Sequence, residues 1–340
     1  MPDPILAIRD LTVEFDTEDG VVHAVTDVGF DLHPGEILGV VGESGSGKSV
    51  SMLAILGLIP KPPGRIVDGQ ALFRGEDLLK LPENRLQKIR GEAIAMVFQD
   101  PLSSLNPVLT IGEQVSEAIR AHDPDSSAAA AQKRTVDLLA LVGVPAAERR
   151  YHQYPHEFSG GMRQRAMIAM AIANDPTVLV ADEPTTALDV TIQAQLIEVL
   201  KAARRETQAA IVLITHDLGL IAELADHVVV MYAGRIVEVG DVFSIFDSPR
   251  HPYTAGLLAS LARLDAGTEV LEPIPGQPPS LITPPPGCAF HPRCALSRGR
   301  VTCRTEVPRL RALGTDGEHR SACHFAEELV ALDPNVEPAT

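Results

Sequence analysis

Tryptophan is absent, and phenylalanine and tyrosine bring the aromatics to only 4% of the 340 residues. The core must therefore be built mostly from Ala, Val, Leu and Ile. Charged residues make up 22% and hydrophobic residues 45%, a balance that excludes a disordered chain. Positive charge is scarce: 29 Lys plus Arg stand against 45 Asp plus Glu, for a formal net charge of −16. A general nucleic-acid binder needs the opposite surplus to displace counterions from phosphates. No apolar run reaches the roughly 18–20 residues of a membrane span. The most apolar stretch, 209–233, is interrupted by His216, Asp217, Glu223 and Asp226. The segment Met1 to Phe15 carries Asp3, Arg9 and Asp10 without a basic stretch leading into an apolar one, so no secretory signal is expected and the cytosol is the expected compartment. Cysteine is missing from the first 287 residues. Cys288, Cys294, Cys303 and Cys323 all fall in the last 53, and in a reducing compartment such a cluster points to a metal or iron–sulfur site before disulfides.

From about residue 37 to about 245, short apolar runs alternate with helical periodicity, which predicts an α/β fold with a mostly parallel sheet. Ile37 to Val41 reads as a buried strand, Ser49 to Leu58 as a helix, and Val178 to Ala181 and Ile211 to Ile214 as further buried strands. Polar residues follow the latter two, and the C-terminal ends of parallel strands are where α/β proteins bind ligands. Ile8 to Phe15 and Val21 to Phe30 read as antiparallel strands around Glu18-Asp19-Gly20. Residues of about 106–171 are helix-rich and form a helical subdomain. Seven of the fifteen residues from Pro273 to Gly287 are proline, which predicts an extended segment separating the main domain, 1–255, from a cysteine module, 288–325, within an extension 256–340.

Gly42-Glu43-Ser44-Gly45-Ser46-Gly47-Lys48-Ser49 satisfies G-x-x-x-x-G-K-[ST] between a strand and a helix, the context that makes it a P-loop. The backbone N–H groups of Gly42, Ser44, Gly45, Ser46 and Gly47 cradle phosphate, Lys48 balances the β/γ charge, and the Ser49 hydroxyl is a Mg²⁺ ligand. A P-loop needs a carboxylate for the metal shell, and the apolar strand ending in Asp182-Glu183 supplies it. Asp182 is expected at the metal's water shell and Glu183 as the residue that orients or deprotonates the attacking water.

Between these motifs lies Phe158-Ser159-Gly160-Gly161-Met162-Arg163-Gln164-Arg165, which resembles the signature of the ATP-binding cassette (ABC) family. Phe158 and Met162 depart from the family's L-S-G-G-Q, while Ser159, Gly160 and Gly161 keep the groups that bind a γ-phosphate at a helix N-terminus. The resemblance implies further roles: Gln99 as the Q-loop metal ligand, Asp189 in Ala187-Leu188-Asp189 as the D-loop, His216 as the switch histidine contacting the γ-phosphate, and Phe15 as the aromatic on which adenine stacks. Phe15 also reads as a core residue of its strand, and His216 as a surface histidine. A head-to-tail cassette dimer with ATP sandwiched between P-loop and signature is implied too, so this chain, with one of each, requires a second cassette, identical or related.

About 110 residues separate Lys48 from Ser159 without the sustained heptads of the DNA-repair members' coiled coil, translation-type members usually carry two cassettes where this chain has one and a surplus of acid, and fused exporters carry their own membrane spans. What remains is the separate ATPase subunit of an importer. Ser103-Ser104-Leu105-Asn106-Pro107, Asp189 to Gln195, His251-Pro252-Tyr253-Thr254, Gly276 to Leu281 and Pro285 to Cys294 resemble the oligopeptide/dipeptide group. That implies two membrane-spanning permease subunits, an indirectly coupled extracytoplasmic solute-binding protein, no nucleic-acid partner, and a place at the cytoplasmic face of the membrane. The segment Gln99 to Pro107, with Leu105 at its centre, is expected to meet the permease. Nickel and glycoside importers are close relatives, and a regulatory, non-transport ABC ATPase is the competing class.

The spacing C-x5-C-x8-C-x19-C lacks the C-x2-C knuckles of common zinc sites but suits a 4Fe-4S cluster. Seven Arg against three acidic residues between Cys288 and Phe325 favour an anionic cluster. Zinc, with His291, His319 or His324 as further ligands, and four free structural thiols are the alternatives. Because every ATP-site motif is complete without it, the module is expected to serve structure or partner docking rather than hydrolysis.

Overall fold

The computed structural model describes residues 3–100, 104–185, 190–260, 274–314 and 317–329. Its strands are β1 (Leu6–Thr17), β2 (Gly20–Leu32), β3 (Ile37–Val41), β4 (Gly64–Phe73), β5 (Glu76–Asp77), β6 (Ile94–Val97), β7 (Val178–Asp182), β8 (Ala210–Ile214), β9 (His227–Tyr232), β10 (Arg235–Asp241), β11 (Arg311–Ala312) and β12 (Arg320–Ser321). The chain forms two compact units. Unit 1 is Met1–Leu6, Leu32–Leu38 and Phe73–Thr215, and unit 2 is Ala7–Asp31, Gly39–Leu72 and His216–Thr340.

In unit 1, β6, β7 and β8 pair in parallel, with Ile94 opposite Val178, Val178 opposite Ala210 and Asp182 opposite Ile214. Every residue of β7 and β8 is buried, as a parallel strand covered on both faces demands, and this is why both read as unbroken apolar runs. Each fully buried Val, Leu or Ile contributes roughly 1.5–3 kcal/mol of burial. Between residues 106 and 171 lie the helices Ile111–His122, Ala128–Leu141 and Gly160–Ala171, with a short turn of helix at Ala147–Arg150. Thr110 and Glu113 cap the first helix reciprocally: the Glu113 amide donates to Thr110 Oγ1 at 3.2 Å and the Thr110 amide to Glu113 Oε2 at 2.8 Å. These bonds to Thr110 hold the Glu113 carboxyl below its ordinary range. Ser127 and Ser159 cap the helices that follow them.

In unit 2, β1 lies between β2 and β4. A separate antiparallel ladder runs from β9 through β10 and β12 to β11. β9 and β10 are joined at Ala233-Gly234, with φ of 49° and 76°, the two left-handed residues a tight hairpin requires. The Pro-rich segment, where it is described, forms no helix or strand and runs through several bends, and it is bound to the unit: the His23 amide donates to the Leu281 carbonyl at 2.9 Å. The cysteine module is stitched into the same unit, since β12 pairs with β10 and the Ala322 amide donates to the Val237 carbonyl at 2.8 Å.

Candidate functional site

The P-loop joins β3 to the helix Lys48–Ile55. No side chain caps that helix; its N-cap is Gly47, in the left-handed region at φ 98°, so its first N–H groups are turned toward the loop as an anion site requires. A Cβ on Gly47 would stand 2.5 Å from the Ala24 carbonyl oxygen, and one on Gly42, at φ 151°, would collide with the Met231 carbonyl oxygen. Glycine is thus imposed at both positions by neighbouring backbone as well as by φ. The hairpin turn supports the loop, for the Gly234 amide donates to the Ser46 carbonyl at 3.1 Å. Lys48 is 5% exposed, and its Nζ donates to the carbonyls of Gly42 at 2.8 Å and Glu43 at 3.0 Å. Ser44, Gly45 and Ser49 complete the loop, and Ser46 is buried.

Unit 1 carries Gln99, Ser159 to Gly161, Asp182 and Glu183. Asp182 closes β7 and is 5% exposed. Glu183 follows in the left-handed region at φ 44°, its amide donating to the Ile214 carbonyl at 2.8 Å. For a non-glycine residue this is a strained conformation held by its surroundings, the kind found where function fixes a side chain's direction. Gln99 Nε2 reaches Glu183 Oε2 at 3.1 Å. Ser159 caps the signature helix by accepting from the Met162 amide at 3.4 Å. Gly160 is exposed, and Phe158, where the family signature has Leu, is 3% exposed and fills an apolar position. Asp189 lies outside the described residues.

In unit 2, His216 is exposed and precedes Asp217, whose carboxylate accepts from the Leu220 amide at 3.1 Å and caps the next helix. Phe15 packs its ring on the backbone of Gly64, where a Cβ would meet the ring at 2.8 Å. Leu105, expected at a partner-facing surface, is 4% exposed and faces the interior of unit 1. An apolar side chain among helix-capping backbone is drawn inward, and the exposed apolar residues of that region are Val108, at 75%, and Phe98, at 42%.

The four cysteines, spread over 36 residues of sequence, line one narrow cavity of about 10 Å³ together with His251, Phe290, His291, Leu296, His324 and Phe325. Among the described residues no group of three or more His, Cys, Asp and Glu is gathered as for a single metal ion. Burial pushes the Cys288 thiol up to about 11 and Cys323 to about 12, and raises Cys294 and Cys303 as well. Backbone amides oppose that shift at three of the sulfurs: those of Phe290 and His291 at Cys288, of Leu296 and Ser297 at Cys294, and of Phe325 at Cys323, the last at 3.4 Å. Arg300 opposes it at Cys303. The site therefore offers N–H donors and a cation to thiolates inside an apolar pocket.

Two parts of the P-loop's support escape sequence reading. Glu43 Oε2 and Oε1 receive Arg293 Nη1 at 2.8 Å and Nη2 at 3.0 Å, and the Glu43 amide donates to the Tyr253 hydroxyl at 2.7 Å. The only signals for them are an acidic residue inside the P-loop, an arginine beside Cys294 and the His-Pro-Tyr motif, and none of these names its partner.

A glycine-constrained phosphate cradle between a buried strand and a helix defines a P-loop protein. The sequence pattern described as "ABC transporter" matches residues 25–186, and that described as "Oligopeptide/dipeptide transporter, C-terminal region" matches residues 237–303. The chain is 51% identical over 337 residues to the oligopeptide transport ATP-binding protein OppD of Bacillus subtilis, covering 98% of this chain and 91% of that protein. It is 51% identical over 290 residues to the dipeptide transport ATP-binding protein DppD of the same organism, covering 85% and 86%. Among solved structures, the dimeric ABC transporter cassette MJ0796 matches with a TM-score of 0.63 and 27% identity over 70% of this chain and 98% of that one. The chain belongs to the ABC transporter family, in the oligopeptide/dipeptide group of its ATP-binding subunits, whose cassettes are ATPases.

Proposed function

We propose that this chain hydrolyses ATP to drive import of oligopeptides or dipeptides. The observation that carries the reading is the P-loop cradle, complete in its glycines, lysine and uncapped helix, on a chain half identical to an oligopeptide transport ATP-binding protein over nearly its whole length. In this reading residues 1–255 are the cassette and 256–340 an extension of it. The loop from Gly42 to Ser49 binds the ATP phosphates, Phe15 takes the adenine, and Lys48 exchanges its carbonyl partners for phosphate oxygens. Ser49, Gln99 and Asp182 would hold Mg²⁺, which would supply charge neutralisation for the bound phosphates. Glu183 orients and deprotonates the attacking water, and His216 contacts the γ-phosphate. Ser159, Gly160, Gly161 and Asp189 face the ATP of a second cassette, identical or a paralogue.

The partners in this reading are that second cassette and two membrane-spanning permeases, with a solute-binding protein acting through them. Among the described residues no helix is long and apolar enough to cross a membrane. In this reading, which rests on the likeness to peptide-import ATP-binding proteins, the chain works from the cytoplasmic face, docked through the exposed apolar residues Phe98 and Val108. Cys288, Cys294, Cys303 and Cys323 would hold a 4Fe-4S cluster. The amide donors at their sulfurs and the shared apolar lining favour a thiolate-bound group, which would tie the C-terminal strands together. Zinc is the other group such thiols could take.

The test is reconstitution of the chain in liposomes with permeases and a binding protein of the peptide-import type from the same organism. Peptide-stimulated ATPase activity and peptide uptake, both lost in Glu183→Gln, are expected. Stimulation by nickel or a glycoside and not by peptides would replace the solute assignment.

A further inference from the structure

The P-loop's first variable residue, Glu43, is held at every polar group it has. Its amide donates to the Tyr253 hydroxyl, its carbonyl accepts Lys48 Nζ at 3.0 Å and the Ser46 amide at 3.2 Å, and its carboxylate takes both guanidinium nitrogens of Arg293. Arg293 stands in the short helical turn His291–Arg293, between Cys288 and Cys294, 250 residues further along the chain. Its side chain is 5% exposed. The guanidinium has five N–H donors, and five acceptors surround it: Nε donates to the Pro275 carbonyl at 2.9 Å, Nη1 also to the Tyr232 hydroxyl at 3.3 Å, and Nη2 also to the Ile274 carbonyl at 3.3 Å. Tyr232, Tyr253 and Phe290 pack ring against ring around it.

Two physical consequences follow. First, a carboxylate one residue from the start of a phosphate cradle repels ATP unless it is neutralised, and a buried bidentate arginine is the strongest neutralising partner a protein has. Secondly, the carbonyl that anchors the P-loop lysine belongs to the residue Arg293 holds, so a shift of Arg293 shifts the lysine's anchor. We infer that Arg293 is a positioning residue for ATP binding, through which the cysteine module, expected to stand apart from the ATP site, sets the cassette's affinity for nucleotide. This rests on the P-loop being the ATP site proposed above. It also gives the acid in the loop a purpose: it is the handle by which the C-terminal module grips the cradle.

The experiment measures MgATP binding by calorimetry on the purified full-length chain, with each variant's thermal midpoint recorded. The unmodified chain tests the ATP-site reading itself; if it fails to bind MgATP, that reading falls before Arg293 is considered. Given binding, Arg293→Ala is expected to raise the Kd at least tenfold, and Arg293→Lys, which keeps the charge but cannot form the fork, several-fold. Adding Glu43→Gln to Arg293→Ala is expected to restore most of the affinity, because it removes the carboxylate left unpaired. A purely structural role would lower the midpoint of the alanine variant and leave the Kd of the folded molecules unchanged. Should Arg293→Ala not fold, Arg293→Lys and the double variant carry the test. A Kd within twofold of the unmodified chain in Arg293→Lys, or a loss that Glu43→Gln does not relieve, overturns the inference.

Discussion

Gln99 donates its side-chain amide to Glu183 over 3.1 Å, so the residue expected at the metal and the residue expected at the water hold each other directly. An amide has two ends: with Nε2 on the carboxylate, Oε1 is an acceptor, the end that would meet Mg²⁺ in the proposed site. In that proposal Gln99 would hold the carboxylate of Glu183 in direction while its other end served the metal.

That arrangement makes the glutamate's charge the point of attack. Glu183→Gln keeps the side chain's volume and every group of the phosphate cradle, so ATP binding should stay within a few-fold of normal while turnover falls roughly 10²–10⁴-fold, the usual worth of a positioned base. Phosphate release and ATP retention measured on the same preparation check both halves. Turnover within about threefold of normal would remove Glu183 from this role.

Substitution of Gln99 by Glu preserves the length of the side chain and places two carboxylates where a hydrogen bond stood. The expected result is a further drop in turnover below that of Gln99→Ala, because repulsion turns Glu183 away as well as losing the donor. Equal rates for the two variants would show that the 3.1 Å contact does not matter to hydrolysis.

Partner docking should separate two neighbours that look alike in sequence. Val108→Asp changes a side chain that is 75% exposed and should leave the fold and ATP binding intact while transport or assembly with the permeases is lost. Leu105→Asp buries a charge at a 4% exposed site and should cost roughly 3 kcal/mol or more of stability, visible as a lowered thermal midpoint before any partner is added. Full transport by the Val108 variant would place the docking surface elsewhere.

Protein purified without oxygen should be brown, with broad absorption near 400 nm and about four irons per chain, the complement of a four-thiolate cubane. Cys294→Ser should lose colour and iron. Colourless protein with about one zinc per chain would establish the zinc alternative, and metal-free protein would leave the cysteines as structural thiols in an apolar pocket.

Much of this was legible in the sequence because it is local. The P-loop's glycines answer to φ values and backbone approaches within a few residues of a strand end, and β7 and β8 read as unbroken apolar runs because a parallel strand is buried on both faces. The capping residues Thr110 and Ser159 likewise act within three positions of themselves. What tertiary structure alone decided is which distant groups meet. Side-chain type and spacing place Leu105 and Val108 in the same stretch, but only packing buries one and exposes the other. Four cysteines with irregular spacing acquire a common cavity and their amide donors only when the chain folds around them. The pairing of Glu43 with Arg293 spans 250 residues, and no periodicity or motif carries information over that distance, because an ion pair is specified by where two side chains end in space rather than by what flanks them in the chain.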